Sequence, residues 1–102
     1  MNARKELDVM LKHINKSKKD IKRLVVIYYI FGSTSKKATT IEELNNINYD
    51  AGFGSQELYG TVVFNDGSWL ERYEYDGSER WVYKETPSDE TLNHLYDYLN
   101  QK

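Results

Sequence analysis

A chain of 102 residues with a formal charge of −2 is long enough for one domain with its own core and too short for two, so residues 1–102 are read as a single domain. It has no cysteine, which excludes disulfide frameworks, thiolate zinc sites and cysteine nucleophiles. Its longest apolar run, Leu24 to Phe31, is far shorter than the roughly 20 residues of a membrane helix.

The opening segment MNARKELDVM is charged from its fourth residue and lacks the apolar stretch of a signal peptide, so a cytoplasmic chain is expected. Charge is divided unevenly. Residues 1–37 hold ten Lys or Arg against three acids, a balance of +7, and the remainder is −9. Such asymmetry speaks to attraction between surfaces rather than to fold.

Leu7, Met10, Leu11 and Ile14 recur at helical spacing on an otherwise charged segment, which predicts an amphipathic helix over 3–18. LVVIYYIF, Leu24 to Phe31, is β-branched and aromatic without alternation, which predicts a strand buried on both faces and placed centrally in its sheet. Gly32 to Lys37 is a loop by composition. Thr40 and Glu43 have the spacing of a capping box ahead of a short helix, and Asn45 to Gln56 is irregular. From Glu57 to Glu85 three strands follow, joined by Asn65-Asp66-Gly67 and by Asp76-Gly77-Ser78, because Gly accepts the positive φ of tight hairpin turns. Thr86-Pro87-Ser88-Asp89 stops the sheet and caps a last helix with the stripe Leu92, Leu95, Tyr96 and Leu99. The predicted fold is α+β: about four strands, mainly antiparallel, formed by 24–31 and the meander 57–85, with the N- and C-terminal helices packed on one face.

Strand parity separates Trp69, Glu71, Tyr73 and Tyr75 from Leu70, Arg72 and Glu74, and Trp81 and Tyr83 from Arg80, Val82 and Lys84. The default is that the aromatic side of both strands is the core beneath the helices. The alternative is that part of the aromatic set forms a platform for a partner.

No catalytic constellation stands out. The Asp-Gly-Ser repeat lacks the ligand rhythm of a calcium loop, and GFGSQELYG, Gly52 to Gly60, has neither the spacing nor the context of a phosphate loop. His13 and His94 have no nucleophile beside them in sequence, and Ser68 and Ser78 are accounted for by turn chemistry. No enzyme activity, cofactor or metal is therefore expected. The basic stretch Lys16, Lys18, Lys19, Lys22 and Arg23 is a candidate for nucleic-acid binding without a groove-reading or RNA-stacking signature, and it better suits the solubilising cationic end of a helix.

With those residues in view, YGTVVFNDGSWLERYEYDGSERWVYKETP, Tyr59 to Pro87, resembles a segment of small bacteriophage and prophage proteins that carry DGSW, then YDGSEWW, Lys and Pro. Arg80 stands where that pattern has Trp. The resemblance implies a phage or mobile-element origin and a place in the cytoplasm of a bacterial host. By analogy with anti-CRISPR proteins, it implies an inhibitor of a host or bacterial-defence macromolecule. The expected function is then a non-enzymatic binding protein with an acidic and aromatic sheet surface, comprising Glu71, Glu74, Tyr75, Asp76, Glu79, Trp81 and Glu85. Carboxylates on a rigid sheet could there replace nucleic-acid phosphates in a basic groove. The alternatives are a nucleic-acid-binding module using the basic end of the first helix, and a self-associating protein, a homodimer in the simplest case, in which the +7 segment of one copy meets the −9 remainder of another.

Overall fold

Asn2 accepts the Lys5 backbone N–H through its side chain at 3.1 Å and so opens helix α1, Ala3–His13. The computed structural model describes residues 1–30, 35–49 and 55–100. Helix α1 ends at His13 rather than Lys18 because Asn15 turns left-handed, with φ 58°. The Lys16 N–H then returns to the Leu11 carbonyl at 2.8 Å and the Asn15 N–H to Lys12 at 3.2 Å, a closure that asparagine tolerates. Leu7 and Leu11 of the predicted stripe are buried, with Met10 and Ile14 packed against them.

Five antiparallel strands follow: β1 (Ile21–Tyr28), β2 (Lys36–Ala38), β3 (Leu58–Phe64), β4 (Trp69–Tyr75) and β5 (Ser78–Lys84), in the order β2-β1-β3-β4-β5. Helix α2, Asp89–Asn100, closes the described chain. The fold is thus α+β with helices at both ends, as predicted, and its sheet has five strands rather than four. The additional strand, β2, lies partly in the expected loop; its Lys-Lys-Ala sequence has no β signature of its own, and pairing with Val26, Ile27 and Tyr28 makes it a strand. The middle of the sheet is β3. In β1 burial alternates, with Leu24 and Val26 inside and Val25 and Ile27 more than a third exposed, so the expected burial of both faces does not occur. Phe31 of the predicted strand and Gly52 and Gly54 of the glycine-bearing stretch lie outside the described residues.

One sheet face carries the core: Leu24, Val26, Leu58, Val62, Phe64, Leu70 and Trp81. It is covered by α1 and by residues 41–49, where Ile41, Leu44, Ile47 and Tyr49 turn inward. The capping pair forms there: Thr40 Oγ1 accepts the Glu43 N–H at 3.3 Å, and the Glu43 carboxylate accepts the Thr39 N–H at 3.3 Å. This segment is stapled to the start of the chain by bonds from the Ala3 N–H to Ile47 O and from the Tyr49 N–H to Met1 O, both 2.9 Å. Helix α2 takes no share in that cover, since every one of its residues is exposed.

The two Asp-Gly-Ser copies turn differently. In the first, the Phe64 N–H bonds Ser68 O and the Gly67 N–H bonds Phe64 O, with Gly67 at φ 89°: a three-residue loop ending in a left-handed glycine. In the second, Asp76 (φ 53°) and Gly77 (φ 82°) make a two-residue turn that pairs Tyr75 with Ser78. That shorter turn pairs odd-numbered residues of β4 with even-numbered residues of β5, so Arg72 faces Trp81 and Leu70 faces Tyr83. The aromatics of the two strands therefore lie on opposite faces: Trp81 and Tyr83 on the core side, Trp69, Tyr73 and Tyr75 on the other. The expectation of a common aromatic core face is overturned by this register.

Candidate functional site

Beneath β4 and β5 lies a charged cluster closed off from solvent. The Arg72 and Glu79 side chains are each 1% exposed, and Glu6 of α1 is 15% exposed. Arg72 donates from Nε and Nη2 to Glu79 Oε1 at 3.1 and 2.8 Å, from Nη1 to Glu6 Oε1 at 2.9 Å, and from Nη2 to the Tyr49 hydroxyl at 2.5 Å. Tyr49 in turn donates to Glu6. The guanidinium carbon sits 5.1 Å from the ring centres of both Tyr49 and Trp81, within reach of a cation–π contact with each. Burial alone would lower the Arg72 pKa, but Glu6 and the Glu79 bonds overcome it and hold it above the usual value. Burial pushes the Tyr49 phenol up, reinforced by its bond to Glu6. Both groups therefore keep their protons at neutral pH.

Glu79 has a second task. The β3–β4 ladder ends at Thr61–Glu71 although both strands continue. Beyond that point the Glu79 carboxylate accepts the backbone N–H groups of Glu57 at 2.8 Å and Leu58 at 3.1 Å. A side chain from β5 thus replaces the acceptor a neighbouring strand would have supplied, which is why a buried carboxylate is retained here.

The opposite face of the sheet is open. Its rows follow from the register: Arg23, Val63, Trp69 and Lys84; Val25, Thr61, Glu71 and Val82; Lys37, Ile27 and Tyr59; Tyr73 and Arg80; Tyr75 and Ser78. Val25, Ile27, Tyr59 and Tyr73 are each more than a third exposed and Tyr75 is 72% exposed. Near the β4–β5 turn this face holds an open depression of about 300 Å³ lined by Tyr73, Tyr75, Ser78 and Arg80. The Arg80 guanidinium lies over the Tyr73 ring at 5.3 Å.

The acids and aromatics expected at a partner surface are dispersed by this geometry. Glu79 and Trp81 are buried and belong to the core. Glu71 is on the open face but accepts from the Trp69 indole at 2.7 Å and pairs with Lys84 at 3.3 Å; those two bonds, the indole first, hold its carboxyl below the usual range. Glu74 is exposed and accepts the Gly77 N–H at 2.8 Å. Asp76 is in the turn, and Glu85, past the end of β5, accepts from Tyr83. Tyr75 alone of the aromatics in that set is freely presented. Arg80 was missed, and Trp69 and Tyr73 stood only in the aromatic set offered as an alternative platform, although the two-residue Asp76-Gly77 turn contains the signal that separates them from Trp81.

The basic candidates are also divided. Lys16 is bound to Asp66 at 2.7 Å, a bond that raises its pKa, and it lies 5.0 Å from the Phe64 ring centre, which places it in the structure of the hairpin. Lys18 is paired with Glu42, while Lys19, Lys22 and Arg23 are exposed. A recess of about 240 Å³ is lined by Lys18, Lys22, Arg23, Thr39, Thr40 and neighbouring residues. His13 and His94 are exposed, and among the described residues no group of three potential ligands could hold a metal ion. No helix of the described residues is long and apolar enough to cross a membrane. No protein-family model matches the chain, and no curated protein or solved structure matches it.

Proposed function

We propose that the chain is a non-enzymatic binding protein that docks on a macromolecular partner through the open sheet face, with Tyr73, Tyr75 and Arg80 as its anchors. The observation that carries this reading is the arrangement on that face: two exposed tyrosines and an arginine already stacked on one of them, around an open depression on a rigid sheet. Tyrosine and arginine dominate binding hot spots, because they bring large apolar area and hydrogen-bonding capacity at small entropic cost. The likeness of Tyr59 to Pro87 to phage proteins directs the search to a host or bacterial-defence protein, inhibited by occlusion. Nucleic-acid mimicry is not needed for this, as a row of free carboxylates is not what the face offers.

The test is capture of partners by the immobilised chain from lysates of phage-infected or defence-bearing bacteria. A specific protein should be retained by the wild type and by Lys5→Glu on α1, and lost with Tyr73→Ala combined with Arg80→Glu. Equal retention by the wild type and both variants rejects the face. A second reading, a nucleic-acid-binding module, is favoured only by the recess lined by Lys18, Lys22 and Arg23. It requires binding to single- or double-stranded oligonucleotides at low salt that weakens steeply as salt rises, and no binding under those conditions removes it.

A further inference from the structure

We infer that helix α2 of one copy seats on the open sheet face of a second copy, and that two copies exchange their C-terminal helices in a symmetric dimer. The inference rests on the reading of that face as a docking surface: α2 of a second copy is the occupant that a partner displaces.

Helix α2 presents an amphipathic stripe that no described residue covers: Leu92, Leu95, Tyr96 and Leu99 fall on one side and are 49–69% exposed. A helix of 12 residues is shorter than isolated helices need to persist in water, and its stability has to come from an apolar surface beneath it. The open face supplies an apolar floor of matching kind in Val25, Ile27, Val63 and Val82, with Trp69 and Tyr73 beside them. The charges match as well. Arg23, Lys37, Arg80 and Lys84 stand on the face against Glu71, a balance of +3. Helix α2 carries Asp89, Glu90 and Asp97 with no Lys or Arg, a balance of −3 with His94 neutral. Opposed surfaces of this kind steer association and fix its register. Size agrees too, since 12 residues make a helix about 18 Å long and five strands span about 19 Å.

The linker directs α2 to a neighbour rather than to its own sheet. Glu85 to Ser88 contains no turn. Thr86 precedes Pro87 and is held extended, and the proline ring fixes the next φ. Folding α2 back over the chain's own open face would require a reversal inside these four residues. The chain instead reaches 54 Å along its longest axis, with a radius of gyration of 16.6 Å against about 13 Å for a compact chain of this length. An amphipathic arm carried away from its own domain on a stiff linker is the geometry of exchange, and two-fold symmetry then makes the same contact twice.

The experiment is mass measurement by light scattering and sedimentation over a hundredfold range of concentration. The full chain should reach twice its 12.0 kDa monomer mass. Leu95→Glu with Leu99→Glu should shift dissociation at least tenfold toward monomer, with circular dichroism confirming that the sheet remains folded. A charge exchange gives the sharper readout. One copy carries Arg80→Glu and Lys84→Glu, and the other carries Asp89→Lys, Glu90→Lys and Asp97→Lys. Each alone should be monomeric, and a one-to-one mixture should form a mixed dimer. A full chain that stays monomeric at the highest concentration overturns the inference, as does a dimer that all α2 variants leave intact. Partner capture by the monomeric α2 variant would uphold the docking reading even then. A dimer that retains nothing from any lysate would support this inference while rejecting the other.

Discussion

Replacing Glu79 by alanine should be among the most destabilising single changes in the chain. The substitution removes four hydrogen bonds at once, two from Arg72 and two from the backbone N–H groups of Glu57 and Leu58. Arg72 keeps Glu6 and Tyr49, but half of its guanidinium loses its acceptors inside the core. Breaking a buried ion pair from one side costs about 3–5 kcal/mol, and an orphaned buried N–H costs about 1–3 kcal/mol more. These terms overlap once water enters beside Glu57, so about 4 kcal/mol is expected. That is a large share of the roughly 5–15 kcal/mol that holds a domain of this size, and it lowers Tm by about 15–30 °C. Glu79→Gln should cost about half as much, because its carbonyl oxygen still serves Arg72 and Leu58 while its amide meets the Glu57 donor unfavourably. Urea denaturation followed by circular dichroism gives both values, and adding Arg72→Met completes a double-mutant cycle. A cost below about 1 kcal/mol for Glu79→Ala, or additive single-mutant costs in the cycle, would refute the assignment of Glu79 as both ion partner and strand surrogate.

Gly60 has φ 151°, and a Cβ there would lie 2.2 Å from the Val25 carbonyl oxygen, so Gly60→Ala should cost about 3 kcal/mol or more in the same urea assay. Trp81 is buried, and its indole N–H finds no acceptor among the described residues; Trp81→Phe should therefore stay within about 1 kcal/mol of wild type, whereas Trp81→Ala should lose about 3–5 kcal/mol. The Lys16 bond, followed by the Ser68 bonds, holds the Asp66 carboxyl well below its ordinary range. A depressed carboxyl stabilises the fold above its unfolded pKa of about 3.9 and loses that contribution as pH falls through the lower folded value. Thermal midpoints measured between pH 6 and 2 should accordingly drop in the acid limb, with a shallower drop for Asp66→Asn.

Much of this architecture was legible because it rests on short-range chemistry. The Leu7 and Leu11 stripe, the Thr40–Glu43 cap and the Asp-Gly turns each depend on neighbours a few residues apart. What was not legible depends on register. Alternation in β4 is nearly symmetric, aromatic on one side and mixed on the other, and either side could have been the core. Turn length decides it: the two-residue turn at Asp76-Gly77 puts Arg72 across from Trp81, and Leu70 inside fixes which face is buried. The inward carboxylate was hidden because an acid in a strand ordinarily reads as solvated. Its signal was Glu79 sharing the parity of Trp81, with the opposite charge of Arg72 on the matching parity of β4. Strand β2 left no signal, as Lys36–Ala38 owes its conformation to β1.

The buried cluster and the open face are two sides of one arrangement. Because Glu79 satisfies the Glu57 and Leu58 donors, β4 need not continue its ladder with β3 beyond Thr61–Glu71. The β4–β5 hairpin is then held to the domain at that end by Arg72, Glu6 and Tyr49 instead of by backbone pairing. The same stretch of hairpin presents Tyr73, Tyr75 and Arg80 on its other side around the depression. A conventional apolar pair at positions 72 and 79 would remove the acceptor of the Leu58 N–H and favour resumption of the ladder, pulling the tyrosine-bearing strand toward β3. An ion cluster in so small a core is a poor source of net stability. It is well suited to fixing where the hairpin stands, and with it the shape of the surface offered to a partner or to a second copy.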